Sequence, residues 1–341
     1  MNIDSNRRQR PLISFVVTYH NEDVAMLIEC VESIINLSLS KDERQVVVID
    51  DGSDVCPMNS LMAYADDVIY VRKPNAGPGA ARNTGIMMAT GEYLQFVDAD
   101  DKLVKFYYEQ CIDVVRYADP DMVMFGHTTK DDGEMQVTLP PEKAFTGAEF
   151  MRNNNLRGMA CGYVFKKDIL HNLRYPEDIY HEDEEFTPQL VLRCERLYVT
   201  DSPAYFYRQH QGTTMSNRDK RWKVKRLDDM ETVIMRLYRK TDTLPHVERQ
   251  ALQRRIAQLT MDYLYNIIIL THSRRFLDER IERLEKEGLF PMPEKAYTKK
   301  YALFGKLIKT KWGRNVMLMG LPLMKRWNER YGQLLALIIA E

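Results

Sequence analysis

The run YLQFVDADD, Tyr93 to Asp101, passes from apolar to acidic in a single step. Carboxylates left unpaired in a core cost several kcal/mol each to desolvate, so the chain must surface at Asp98. If the backbone stays extended, Asp98 and Asp100 point to the same side. Two convergent carboxylates at the carboxyl end of a strand make a hard oxygen site suited to Mg²⁺ or Mn²⁺. Asp-x-Asp is also ordinary turn and cap chemistry, so its neighbours decide its meaning. Asp101 reads as a cap for the helix that follows.

Two more polar clusters follow apolar runs in the same way. Thr18-Tyr19-His20-Asn21 ends the run from Leu12, and Asp50-Asp51-Gly52-Ser53 ends Gln45–Ile49. In open α/β sheets ligands bind outside the carboxyl ends of the strands, and three such clusters exceed what turns alone require. Asp50 or Asp51 suits either a turn cap or an acceptor for ribose hydroxyls. His20 reads either as structural or as a ring on which a base stacks. The segment Lys73–Gly85, KPNAGPGAARNTG, offers glycines for close backbone approach and a helix start that favours anions. It matches neither a P-loop nor G-x-G-x-x-G. Taken alone, its Arg82 reads as a cation on a solvated helix face, with a bridge to base or phosphate as the alternative.

His181-Glu182-Asp183-Glu184-Glu185 opens an apolar helical run. Acids in a first turn commonly complement the helix dipole. The sharper reading is a general base held at the helix start and kept ionised near neutral pH by that dipole. In Tyr205–Ser216, YFYRQHQGTTMS, Arg208 suits a diphosphate clamp and His210 a second polar contact, unless the segment is a plain surface loop. Residues 295–330 carry ten Lys and Arg against one acid, Glu329, interleaved with Tyr297, Tyr301, Phe304, Trp312 and Trp327. That pattern suits a solvated helical face or a helix lying on an anionic membrane surface.

The elements that must position these residues follow from periodicity. Leu12–Thr18, Gln45–Ile49, Asp67–Val71 and Tyr93–Val97 read as buried strands, and 21–37 and 80–89 as helices between them. This alternation predicts right-handed βαβ units and a parallel sheet. Further on, 105–117, 145–154 and 183–192 read as helices and 121–126, 197–200 and 204–207 as strands. From about Asn217 the chain reads as helical. The expected division is a catalytic domain at 1–216, with a nucleotide-binding half at 1–101 and an acceptor-binding half at 102–216, then a helical region at 217–341.

The 341 residues are 45% hydrophobic and 28% charged with a net charge of −1, which suits a globular protein and argues against a nucleic-acid binder. Five dispersed cysteines read as small buried thiols of a reducing compartment. A polar N-terminus and the lack of any run near 18 apolar residues predict a cytoplasmic protein with no spanning helix.

Taken in order, ISFVVTYHNE, VVVIDDGSD, NAGPGAARNTGIMMATGEYLQFVDADD and YHEDEEF resemble the family 2 glycosyltransferases over residues 12 to 216. The resemblance implies a GT-A fold, an α/β architecture with a Rossmann-like, mostly parallel sheet flanked by helices, here with a C-terminal helical appendage. It implies a nucleotide-diphosphate sugar donor (UDP by default), Mn²⁺ or Mg²⁺, and inversion at the anomeric carbon. It further implies a saccharide or lipid-linked saccharide acceptor, in bacterial surface polysaccharide or glycolipid synthesis; the basic stretch 295–330 lies outside the resemblance, and its pattern alone suggests a peripheral contact to the inner membrane face. By position, Thr18, His20 and Glu22 fall in the first nucleotide-contacting loop, His20 replacing a more usual tyrosine. Asp51, with Asp50 beside it, matches the carboxylate at base or ribose, and Arg82 the basic residue of the glycine-rich turn. Asp98 and Asp100 match the Asp-x-Asp motif, with Asp100 as direct metal ligand. Asp183 matches the catalytic base, while Arg208 and His210 fall in a loop that closes over the diphosphate. The competing readings are a sugar-1-phosphate nucleotidyltransferase and a non-catalytic scaffold for membrane or partner.

Overall fold

The computed structural model describes residues 10–130, 143–209, 219–295 and 297–339, with side chains to 325. The chain divides into two compact units, Met1–Asn217 and Arg218–Glu341.

The first unit begins with β1 (Ile13–Tyr19), α1 (Val24–Ile35), β2 (Arg44–Asp50), the single turn α2 (Met58–Leu61), β3 (Val68–Arg72), α3 (Gly77–Met88) and β4 (Tyr93–Asp98). It continues through β5 (Lys102–Leu103), α4 (Lys105–Ala118), β6 (Met122–Met124), β7 (His127–Thr128), α5 (Gly147–Asn153), β8 (Tyr163–Lys166), α6 (Glu182–Val191), β9 (Leu197–Val199) and β10 (Tyr205–Phe206). Seven strands form the main sheet in the order β3-β2-β1-β4-β8-β6-β9. β1, β2, β3 and β4 run parallel, as apolar runs joined by helices must. β8 runs antiparallel to both β4 and β6. Its four residues, YVFK, are too short to stand out as a strand in the sequence, and long-range pairing alone places them.

Phe15, Phe96, Phe165 and Tyr108 are fully buried around this sheet. Burial of each such side chain is worth about 1.5–3 kcal/mol before ordering costs. Asp23 caps α1 by accepting from the Ala25 N–H, and Leu27, Cys30, Val31 and Ile34 form its inward stripe. A second, three-stranded sheet pairs β10 antiparallel to β5 and parallel to β7. It returns the chain at Arg208 to the carboxyl end of β4.

Four of the five cysteines are buried as expected, but Cys56 is exposed. The backbone does not stay extended from Asp98 to Asp100: β4 ends at Asp98, and the Asp101 N–H donates to the Asp98 carbonyl at 3.0 Å, closing a turn.

The second unit is helical: α7 (Lys220–Lys240), α8 (His246–Thr271), α9 (Arg274–Lys286), α10 (Lys299–Ile308) and α11 (Lys311–Ile339). α8 runs through its middle, with Leu252, Leu259, Tyr263, Leu264, Ile267 and Ile268 buried. Arg280 of α9 is held by Asp228 and Glu231 of α7, both at 2.5 Å. No helix among the described residues is long and apolar enough to cross a membrane.

Candidate functional site

The three polar clusters meet because the register brings the strand ends together. Thr18 pairs with Asp98 across β1 and β4, and Tyr19 with Asp50 across β1 and β2.

At the second cluster the two neighbouring carboxylates point to different tasks. Asp50 is 0% exposed. It accepts from the Ser53 N–H at 2.8 Å and the Tyr70 hydroxyl at 2.5 Å, with Arg72 at 3.7 Å. Burial works against its ionisation, yet these donors and Arg72 hold its carboxyl below the usual range. Asp50 has no surface to offer a ribose: it holds the turn. Asp51 accepts from Lys73 Nζ at 2.5 Å, the Ala76 N–H at 3.1 Å and the Gly77 N–H at 2.8 Å. It therefore fills the start of α3, where the sequence suggested an anion cradle. Gly52 between them adopts φ +72°, and a Cβ there would come within 2.6 Å of the Asn75 nitrogen. That close approach ties the Asp-Asp-Gly-Ser turn to the glycine-rich segment.

His20 is exposed above this turn. Its Nδ1 donates to the Asp51 carbonyl at 2.9 Å, which leaves Nε2 to accept from Asn75 Nδ2 at 3.0 Å. Glu22 Oε2 accepts from the His20 N–H at 2.5 Å. Burial, then the charges on Asp100 and Asp98, push the Glu22 carboxyl up against that hydrogen bond.

Arg82 is the centre of the arrangement. It is 7% exposed, not on the solvated face its sequence context favoured. Its Nη2 meets Asp98 Oδ1 at 3.2 Å and its Nη1 meets Glu182 Oε1 at 2.5 Å. Thr18 Oγ1 donates to the same Asp98 oxygen at 3.3 Å. The guanidinium also lies 5.5 Å from the centre of the Tyr175 ring, which stacks on Phe186 of α6 at 3.7 Å. One buried cation thus joins the end of β4 to the start of α6. Burial opposes its charge, but Asp98 and Glu182 raise its pKa well above normal.

Asn83, beside Arg82, was not singled out from the sequence. Its amide donates to the Tyr175 carbonyl and Glu177 and accepts from the Tyr175 N–H, all at 2.9 Å. Glu182 was likewise missed as a partner, although it adjoins Asp183. The signal for both was local: an Arg-Asn pair after glycines, and an acid doubled at a helix start.

Asp183 lies in the first turn of α6 and accepts from the Glu184 N–H at 2.8 Å. Burial, followed by the neighbouring Glu182 and Glu184 carboxylates, pushes its carboxyl well up, against Arg82 and the backbone hydrogen bond. Desolvation and like charge therefore work against the ionised form that the helix start was expected to favour.

Asp101 does not cap α4, whose capping position is Val104. It is 1% exposed, accepting from the Tyr205 hydroxyl and the Arg208 N–H, both at 2.8 Å. Burial and the adjacent Asp98 push its carboxyl up to about 8. Arg208 Nε donates to the Asp100 carbonyl at 2.8 Å, and its Nη2 pairs with Glu29 at 2.6 Å. His210 lies outside the described residues.

As a metal site, the strand end offers the right donor type. Asp98 is a third exposed, Asp100 adjoins it across the turn, and their charge raises Glu22, so negative charge is in excess there. No three His, Cys, Asp or Glu side chains among the described residues gather as a complete metal cage. A hard cation fits only with ligand oxygens completing its shell.

Residues 14–173 match the family described as Glycosyl transferase family 2. The match spans just under half of the chain. Among relatives, the uncharacterized glycosyltransferase YibD of Escherichia coli K12 is 26% identical over 197 residues, 53% of this chain and 57% of that protein. The poly(ribitol-phosphate) beta-glucosyltransferase of Bacillus spizizenii is 27% identical over 221 residues, 57% of this chain and 32% of that protein. The chain thus spans less than two-thirds of the length of these curated relatives. The glycosyl transferase fold extends to solved structures. S. aureus TarS 1–349 in complex with UDP-GlcNAc superposes with a TM-score of 0.59 at 18% identity, covering 93% of this chain and 91% of that one. The mixed sheet flanked by helices is accordingly of the GT-A kind the sequence implied.

Proposed function

We propose that this protein is an inverting, metal-dependent glycosyltransferase that moves a sugar from a UDP-sugar to an acceptor hydroxyl. The observation that carries the reading is the buried Arg82 bridge, which sets the Asp98 strand end beside the helix start bearing Asp183. The TarS likeness supports a UDP-sugar donor, and the poly(ribitol-phosphate) relative supports a polymer acceptor. The proposal sets that acceptor, polymer or lipid-linked saccharide, at the inner membrane face.

In this reading the nucleotide lies over Thr18, His20 and the Asp51 turn, with its diphosphate toward Asp98 and Asp100. Arg82 orients Asp98 while Arg208 approaches the diphosphate from the Asp100 side. Mn²⁺ or Mg²⁺ held by Asp98 and Asp100 would offset charge on the departing diphosphate. Asp183 takes the proton from the acceptor oxygen as that oxygen attacks the anomeric carbon on the face opposite the leaving group. A sugar-1-phosphate nucleotidyltransferase would need a Gly-rich, basic loop after β1, where Thr18-Tyr19-His20-Asn21-Glu22 stands instead.

A screen of nucleotide-sugars for slow hydrolysis tests the reading. We expect one UDP-sugar to be cleaved with Mn²⁺, and cleavage to stop on chelation or in Asp100→Ala. Undiminished cleavage after metal stripping would remove the metal from the scheme, and silence toward every nucleotide-sugar would remove the transferase reading itself.

The pH profile follows from Asp183. Its protonated form persists in the folded protein well above the ordinary aspartate value of about 3.9. The base acts only when ionised, so kcat/KM should climb with pH through a limb above that value. A rate that stays flat down to about pH 4 would exclude Asp183 as the base.

A further inference from the structure

We propose that α10 and α11 form a docking surface for an anionic phospholipid bilayer. This deepens the reading of an enzyme acting at the membrane face and rests on it for its purpose, although its test does not require transfer. The inner faces of both helices are used up within their own unit. Tyr301, Phe304, Ile308 and Met317 are buried, and Arg314 pairs with Asp278 at 2.9 Å. The outer faces are unlike those of α7 and α9, which alternate charges of both signs. On α11, Trp312, Met319 and Leu323 recur at spacings of seven and four, one helical face, with Met324 beside them.

Trp312 is 71% exposed, and Met319, Leu323 and Met324 are exposed to nearly the same degree. On α10, Leu303 is 62% exposed between the exposed Lys299, Lys300 and Lys306. Lys311 adjoins Trp312, and Lys325 follows Met324. From Lys295 to Lys325 the chain contains eight Lys and Arg and no Asp or Glu.

Exposed tryptophan and aliphatic side chains prefer the headgroup–acyl boundary, and lysines around them answer the charge of anionic lipid. Apart from Glu294, which pairs with Lys309 at 2.5 Å, the stretch is cationic, so a second copy of the chain would meet repulsion at this surface. That charge pattern selects lipid over self-association as the occupant.

The test is co-sedimentation of the full chain with phosphatidylcholine vesicles with and without phosphatidylglycerol, at low salt and without nucleotide. We expect pelleting only with the anionic vesicles. Lys299→Glu/Lys306→Glu/Lys311→Glu should weaken partitioning on the order of 100-fold, and Trp312→Ser/Leu323→Ser about tenfold or more. All these residues are exposed, and donor hydrolysis without vesicles should be unchanged in both variants, which separates this surface from the catalytic reading. Equal pelleting with neutral vesicles, or unchanged pelleting of either variant, overturns the proposal. So does a concentration-dependent dimer abolished by Trp312→Ser/Leu323→Ser in a protein that ignores vesicles.

Discussion

Asp183→Asn is expected to lower sugar transfer by about 10²–10⁴-fold while leaving nucleotide affinity intact. The amide keeps an oxygen to accept from the Glu184 N–H, so the local backbone has no cause to move. It also removes a charge that Glu182 and Glu184 oppose, so the variant should melt no lower than the wild type. Loss of rate in a protein of undiminished stability would locate the defect in proton removal. Measured by transfer assay, calorimetric titration with UDP and thermal melting together, wild-type turnover in this variant would disqualify Asp183.

Arg82→Met should act on the fold as much as on the chemistry. The substitution strands Glu182, and in part Asp98, in a site that cannot hydrate them. Breaking a buried pair on one side costs about 3–5 kcal/mol. Because Asp98 is a third exposed, the lower part of that range is expected. Neutralising the partner as well, in Arg82→Met/Glu182→Met, should restore much of the stability, since an apolar pair is tolerated where a lone charge is not. Donor binding should stay weak in both, because Asp98 loses its orienting cation in each. Urea titrations settle the first claim: a single variant as stable as the wild type would show that the bridge contributes nothing to the fold.

The strand ends were legible because the sheet is buried on both faces. Continuous runs such as FVV and VVVI must stop where Thr18, Asp50 and Asp98 appear, so the edge carrying the site could be read directly. β8 could not be read, because four residues gain their strand identity only from β4 and β6. The role of Arg82 was hidden for a related reason. Its position in α3 fixes which way it points only relative to that helix, and its partner Glu182 lies 100 residues away. Asp50 and Asp51 were read as one cluster, yet their side chains leave the backbone on opposite sides, so one serves the turn and the other the next helix. Asp101 is the clearest misreading. An acid just before a helix suggests a cap, but the return of β10 supplied better donors in Tyr205 and Arg208.

Asp51 at the start of α3 also bears on where the proposed donor's phosphates can lie. Helix starts usually welcome phosphate, but here the position is already taken by a carboxylate held by two backbone N–H groups and Lys73. In the proposed donor complex, phosphates placed at this helix start would find the Ala76 and Gly77 N–H groups already engaged by Asp51. The acidic turn at Asp98–Asp101 would receive them only through a cation, because like charges repel there. On this proposal the cation, not the protein alone, would decide which way round the nucleotide lies.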